Sequence, residues 1–470
     1  MSLIKIFLII LIINIINGEK ILFAFQMNRH GARSPRDGIV NGKDIFEEEW
    51  PENYELSNMG KRQLYLLGCK ARHRYIPELI SKSYNPSQIL IKSTDTNRTI
   101  ESIYSFLQGL YPQGTGQNIN EKKLKLNDIY PPNIKYREKF DEILEYYNLN
   151  DNTEALPNNI SIIPIHLFRK ADHDFQLYSS KTCVGLKDKY DKQNNREEIK
   201  NFADGLSEDL KNLLKYIEKN DSISFLKDYW NLYKYVDNIV CDKFDQRSFY
   251  TFRQKLEKDG KNIENLDRIL DEFKNASEKF LLDDYLVNNN STDLSLVDTS
   301  ITFRSILNWM EIAKNKYIEN NKNYIKYAIY SSHDSSIGAI DGFMYLFFNQ
   351  PFINAQFAAS RFFELYVDDN NNFKVRYLKD LNDAYNILDM DYEEFKNKIE
   401  KIIWDNEKIN DFCRFTEEEP EEKKVKINEV GAGFMVILSI AAGFLISLLI
   451  LVCVQQNIKD KRTNTEANAQ

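Results

Sequence analysis

Arg29-His30-Gly31-Ala32-Arg33-Ser34-Pro35 follows an apolar run, Ile21-Leu22-Phe23-Ala24-Phe25. The run has the length and composition of a buried strand, which puts the heptad at that strand's C-terminal end. Ligands of open α/β sheets bind at such ends. The heptad offers two guanidiniums four positions apart, an imidazole beside the first, and a glycine at which the backbone can turn sharply. Guanidinium forks match phosphate oxygens bidentately, and a histidine among them can serve as nucleophile or base. Alone, a basic heptad with one histidine is a solvated turn more often than an active site.

Its company changes that. Ser93-Thr94-Asp95-Thr96-Asn97-Arg98-Thr99 follows Ile89-Leu90-Ile91, and Ser331-Ser332-His333-Asp334-Ser335 follows Tyr327-Ala328-Ile329-Tyr330. Three apolar runs thus end in Arg, His and Asp. Strands alternating with helical stretches imply an α/β fold with a mostly parallel central sheet flanked by helices.

These stretches resemble the acid phosphatase branch of the histidine phosphatases, with its early RHGxRxP, its STDxxRT element and its late HD pair. Leu56-Ser57-Asn58-Met59-Gly60-Lys61-Arg62-Gln63, Leu67-Gly68, Arg72-His73-Arg74-Tyr75 and Gly109-Leu110-Tyr111-Pro112 extend the likeness, which is strongest to the lysosomal and prostatic type. The resemblance implies an α/β core interrupted by an α-helical cap. It also implies roles. His30 is the nucleophile that becomes phosphohistidine, Arg29, Arg33, Arg98 and His333 bind the phosphate, and Asp334 is proton donor and then base. Charge chemistry agrees: neutral imidazole is not repelled by a phosphate anion, and fixed cations hold the equatorial oxygens. No metal or other cofactor is implied.

Two positions depart from the pattern. Ala32 stands where the lysosomal and prostatic type usually has Asp, as in phytase-like forms, while His333-Asp334 favours the acid phosphatase type. Asn97 replaces a common Asp and creates an Asn-Arg-Thr sequon, expected to stay unmodified beside the pocket. A phytase-like inositol phosphate phosphatase is the nearer rival reading, and an inactive ectodomain that binds phosphorylated ligands the more distant one.

Of 470 residues, 43% are hydrophobic and 13% aromatic, a globular composition with room for a large core. The net charge of −8 argues against a nucleic-acid surface. Residues 1–18, an apolar stretch after Lys5 ending in Asn17-Gly18, predict a signal peptide. Residues 431–454 carry no charge, enough to span a bilayer as one helix, and Lys459, Lys461 and Arg462 follow. The expected product is a single-pass type I membrane protein, its bulk in a lysosomal or other endomembrane lumen or at the cell surface. Residues 19–168 and 296–413 form the core, 169–295 the cap, 414–430 an acidic stalk and 455–470 a cytosolic tail. Its substrates are small phosphomonoesters, and homodimerisation is left open.

Helices are predicted over 57–75 with Ser57 as N-cap, 99–110, 199–219, 225–235, 253–282, 301–317 and 337–347. Strands are predicted over 20–27, 89–91, 160–168 and 327–330, with a hairpin of 362–367 and 373–378. His73 reads as a surface residue, and His166 and His173 match no ligand spacing. Cys69, Cys183, Cys241 and Cys413 fall on the lumenal side, where disulfides form. The resemblance matches Cys183 to Cys413 as a long-range bridge and puts Ser360 where Cys241 expects its partner. Cys69 reads as a buried helical thiol. Sequons at Asn159, Asn220, Asn275, Asn289 and Asn290 suit a secretory-pathway domain.

Overall fold

A computed structural model describes residues 19–414, apart from 42, 51–52, 120–153, 169–182, 194–196, 220, 228, 246–248, 262–264, 287–292, 354 and 382–385. The expected signal peptide, stalk, 431–454 span and tail lie outside the described residues, as do His173 and the sequons Asn220, Asn289 and Asn290. No helix among the described residues is long and apolar enough to cross a membrane.

Strand β1 (Lys20–Arg29) is buried from Leu22 to its end, because both faces are covered. It pairs in parallel with β4 (Tyr327–Ser332), which pairs in parallel with β2 (Ile89–Thr94). On its other side β1 meets β5 (Ser360–Val367) antiparallel, and β6 (Phe373–Lys379) and β7 (Asn386–Asp391) continue antiparallel. With the short edge strand β3 (His166–Phe168) the order is β3-β2-β4-β1-β5-β6-β7.

The sheet is therefore mixed rather than mostly parallel. Parallel pairing stops at β1, where β5 runs the opposite way, and the short connections from β5 to β6 and from β6 to β7 then reverse the chain each time. The strand expected over 160–168 is reduced to its last three residues. Pro164 cannot donate to a ladder there.

Helices α1 (Asn58–Tyr75) and α2 (Asn97–Leu110) cover one face, burying Leu64, Ala71, Tyr75, Ile103 and Phe106 against Ala24, Ile91 and Ile329. Ser57 caps α1, its side chain accepting the Gly60 N–H. On the opposite face Phe25 and Phe363 meet, and Phe363 packs on Phe303, which in turn packs on Phe343. These last two phenylalanines belong to α9 (Asp293–Ile318) and α10 (Asp334–Phe348). Helix α9 begins eight residues before the predicted 301.

Between β3 and α9 lie α3 (Val184–Gln193), α4 (Glu197–Gly205), α5 (Glu208–Glu218), α6 (Tyr229–Phe244), α7 (Tyr250–Lys258) and α8 (Leu266–Leu286). Two long predicted helices are each broken in two. Ser207 starts α5 by capping Leu210, and Gly260 adopts φ +67 after α7. This helical insertion has an apolar core of its own, into which Phe46 projects between Phe249 and Phe252.

The chain closes with α11 (Tyr392–Glu400) and α12 (Asn406–Cys413), neither predicted. A disulfide joins Cys183 to Cys413. Cys241 is a buried free thiol, whereas Cys69 is half-exposed rather than buried. His73 and His166 are exposed, as is Asn275, while Asn159 is half-buried with its amide donating to Asn118.

Candidate active site

Three parallel neighbours, β1, β4 and β2, bring their C-terminal ends to one edge. Register pairs Arg29 with Ser332 and Ser93 with Ser331, and the His30 N–H donates to the Ser332 carbonyl at 3.0 Å. His30, His333 and Thr94 therefore follow one another along that edge. Arg98 lies on the first turn of α2, and Asp334 opens α10.

The heptad can take this path because backbone meets backbone behind it. A Cβ on Gly31 would stand 2.4 Å from the Gly60 carbonyl oxygen, and one on Gly60 would stand 2.1 Å from that of Ala32. The Ala32 N–H donates to Gln63 and its carbonyl accepts from Ser57, so the start of α1 fixes the turn.

His30 is 2% exposed. Its Nδ1 lies 2.9 Å from the Gly31 carbonyl, which can only accept, so Nδ1 carries the proton and Nε2 keeps its lone pair. Burial, then the charges of Arg29, Arg98 and Arg33, hold its pKa well below the ordinary value. The ring stays neutral under acidic conditions. Its centroid is 5.7 Å from that of His333 and 5.8 Å from that of Phe357.

Each arginine is held at its tip. Arg29 donates to the Ala355 carbonyl at 2.7 Å and pairs with Asp334 at 2.8 Å. Arg33, 1% exposed, forks onto Asp237 of α6 at 2.8 and 3.0 Å and touches the Cys241 sulfur at 3.4 Å. Arg98 donates to His333 Nδ1 at 3.1 Å. Two rings tie the group together. Phe357 lies under Arg29 and Arg33, at 4.2 and 5.6 Å, and Tyr54 under Arg98 and Arg33, at 3.6 and 4.6 Å.

In all three arginines the Nε–H is buried and has no hydrogen-bond partner. A buried donor left unmade costs about 1–3 kcal/mol, and three in one cluster of cations describe a site that wants an anion. Burial opposes the charge of Arg33, but Asp237 more than restores it, whereas burial lowers Arg98. For Asp334, burial pushes its carboxyl up, and Arg29, Arg33 and His333 together outweigh that and hold it low.

The structure thus brings together all six side chains singled out in the sequence: His30, Arg29, Arg33, Arg98, His333 and Asp334. Tyr54, Phe357 and Asp237 join them without any local sequence signal. Tyr54 adopts φ 67, a costly conformation for a tyrosine, which hands its ring to the arginines. A cavity of about 1240 Å³ between residues 38–47 and the helical insertion contains none of the six and is not where the cations meet.

Residues 20–380 match the family model of the Histidine phosphatase superfamily (branch 2). The chain belongs to that family. Lysosomal acid phosphatase of Xenopus laevis is 26% identical over 364 residues, which is 76% of this chain and 69% of that protein. The Pongo abelii lysosomal acid phosphatase is 22% identical over 92% of this chain and 86% of its own. Human prostatic acid phosphatase is 36% identical over 95 residues, 20% of this chain and 24% of that one. Among solved structures, Bifidobacterium longum multiple inositol polyphosphate phosphatase has a TM-score of 0.49 at 12% identity, covering 81% of this chain and 92% of its own. For Hafnia alvei phytase the TM-score is 0.48 at 12% identity, covering 85% and 99%.

Proposed function

We propose that this member of the histidine phosphatases is an acid phosphatase that hydrolyses phosphate monoesters through a phosphohistidine. One observation carries the reading: a neutral, buried imidazole with a free Nε2 stands among three arginines whose Nε–H groups lack acceptors.

The substrate's phosphoryl group takes the place of those missing acceptors. Each guanidinium–phosphate hydrogen bond contributes roughly 1.5–3 kcal/mol. His30 Nε2 forms a bond to phosphorus as the ester P–O bond breaks, and Asp334 delivers a proton to the leaving oxygen. The Gly31 carbonyl, accepting from Nδ1, supports the positive charge that the ring then carries. Water attacks phosphorus next and gives its proton to the Asp334 carboxylate. The P–N bond breaks, and neutral His30 returns.

A simple monoester fits this site better than a heavily phosphorylated inositol. Ala32 favours the latter in sequence, but here it is buried and serves the turn. Among the described residues, what the insertion sets against Arg33 is the carboxylate of Asp237 and the thiol of Cys241, not further cations. The lysosomal relatives support a lumenal site of action, and the 431–454 stretch supports a membrane anchor on the cytosolic side of that domain.

Alkaline quench of the full chain during turnover of a ³²P-labelled aryl phosphate is expected to trap label in an acid-labile, base-stable bond. His30→Ala protein should show neither label nor turnover. Full activity in that variant overturns the mechanism. A substrate panel in which phytate is cleaved faster than the aryl ester would move the assignment to the inositol phosphates. Carbonate extraction should leave the protein with membranes, and its release would remove the anchor.

A further inference from the structure

Arg98 can only donate, so His333 Nδ1, 3.1 Å from its Nη2, must accept. A neutral imidazole then carries its proton on Nε2, which faces the Thr94 hydroxyl at 3.1 Å. Thr94 Oγ1 accepts that proton and passes its own to Thr99 Oγ1 at 2.8 Å. Thr99 in turn donates to the backbone carbonyl of Thr94 or Thr96, each 2.9 Å away. Thr96 Oγ1, 3.4 Å from Thr94 Oγ1 and 2.8 Å from Thr99 Oγ1, offers the Thr94 proton a second, longer acceptor, so the donors all find partners in this direction. The opposite direction would aim an Nδ1–H at a guanidinium.

We propose that Thr94 is a positioning residue for phosphate binding: through Thr94 and Thr99 the end of β2 fixes the tautomer of His333, and His333 thereby holds Arg98 in place. Thr94 need not touch substrate. It acts by keeping the Nδ1 lone pair of His333 turned toward Arg98, whose Nε–H waits for an anion. Thr94 and Thr99 are themselves fully buried, so solvent does not supply the missing hydroxyl if either is lost. The inference rests on the phosphatase reading of the site.

The experiment compares Thr94→Val, which keeps the shape and removes the hydroxyl, with Thr94→Ser, which keeps the hydroxyl. Inorganic phosphate is the probe, as a competitive inhibitor of aryl phosphate hydrolysis by the full chain. Thr94→Val should weaken phosphate inhibition about tenfold, the equivalent of one ordinary hydrogen bond, and raise KM by a similar factor. Thr94→Ser should stay within about twofold of the parent protein by the same measure. Equal inhibition constants for Thr94→Val and the parent would overturn the proposal. So would an equal loss in both variants, because that reports packing. Should Thr94→Val fail to fold, Thr94→Ala, which also removes the hydroxyl, decides in its place: an unchanged phosphate affinity rejects the proposal. A parent protein that neither hydrolyses aryl phosphate nor binds phosphate fails the phosphatase reading itself, an outcome distinct from these.

Discussion

His30 and Asp334 share one field of cations: burial together with that field depresses the pKa of His30, and at Asp334 the field outweighs burial and depresses it too. For His30 this suits the proposed chemistry, in which a neutral ring is the nucleophile. For Asp334 it opposes the role of acid, because the free protein holds the carboxylate ionised. A bound phosphate dianion cancels much of the arginine charge and lets the carboxyl rise, so Asp334 takes up a proton from solvent as substrate binds. Asp334→Asn should therefore cost about 10²–10⁴-fold in kcat on an alkyl phosphate. It should cost far less on p-nitrophenyl phosphate, whose leaving group needs no proton. Equal losses on both would remove Asp334 as acid. The sign for stability is the same for the two groups, and only the pH window differs. The His30 pKa lies below its unfolded value of about 6.5, so the unfolded chain takes up that proton first. Its contribution to stability falls as pH drops below that value. Asp334, also depressed, contributes in full above the ordinary carboxylate range and loses this only as pH falls through its own lower value. Unfolding midpoints of His30→Ala should accordingly fall less than the parent's between pH 7.5 and pH 5. These six side chains were legible because each sits in a short motif at a strand end. Thr94 and Thr99 lay in the same motif, but which atom faces which needs coordinates. Tyr54 and Phe357 carry no mark in the sequence, because aromatic residues usually mean core.

The helical insertion meets the heptad through α6, where Asp237 and Cys241 face Arg33. Asp237 takes both terminal nitrogens of Arg33 and also accepts from the Arg36 backbone N–H, while Asn238 donates to the Asp37 carbonyl. Breaking a buried ion pair from one side costs about 3–5 kcal/mol, because the other charge is left uncompensated. Asp237→Ala should lower the thermal midpoint by that equivalent, and millimolar phosphate should restore part of it, since an anion that binds the folded state stabilises it. A variant as stable as its parent would mean that the insertion is held by its apolar contacts, Phe46 among them. Sequence could not have found Asp237, because nothing local marks a partner 204 positions away from Arg33. The helix breaks tell a related story. Ser207 and Gly260 are ordinary cap and turn residues, yet a continuous apolar period across each masked the stop. By contrast α1 was readable to its N-cap, where Ser57, the periodic Leu64 and Ala71, and Gly60 all agree. Gly60→Ala tests that junction: with no room for a Cβ beside the Ala32 carbonyl, overpacking should cost about 1–3 kcal/mol. The variant should also lose turnover, because the heptad moves with it.

At the scale of the whole chain, the sheet divides the labour. Its parallel half, β3-β2-β4-β1, delivers the site, and its antiparallel half, β5-β6-β7, completes the wall behind it. The loop Asp368-Asp369-Asn370-Asn371-Asn372 already announced a hairpin, and the misjudgement lay in counting strands that end at motifs while β7 carried no pattern strong enough to be seen. The final helices were missed for the same reason, yet they matter to the closure of the molecule. Cys413 ends α12, and Cys183 stands just before α3 at the entry to the insertion, 230 positions earlier. The bridge thus ties the end of the described chain to the segment whose other end returns through α9 to the sheet. Cross-linking so long a loop removes much of the unfolded chain's freedom, and loss of such a bridge costs roughly 2–5 kcal/mol. The paired change Cys183→Ser with Cys413→Ser should lower the unfolding midpoint clearly, and dithiothreitol should lower that of the parent equally while leaving the variant unmoved. The catalytic cluster contains neither cysteine, so kcat well below the midpoint should change little. A variant that keeps its midpoint but loses activity would reverse this picture: the bridge would then hold the insertion against Arg33 rather than hold the fold together.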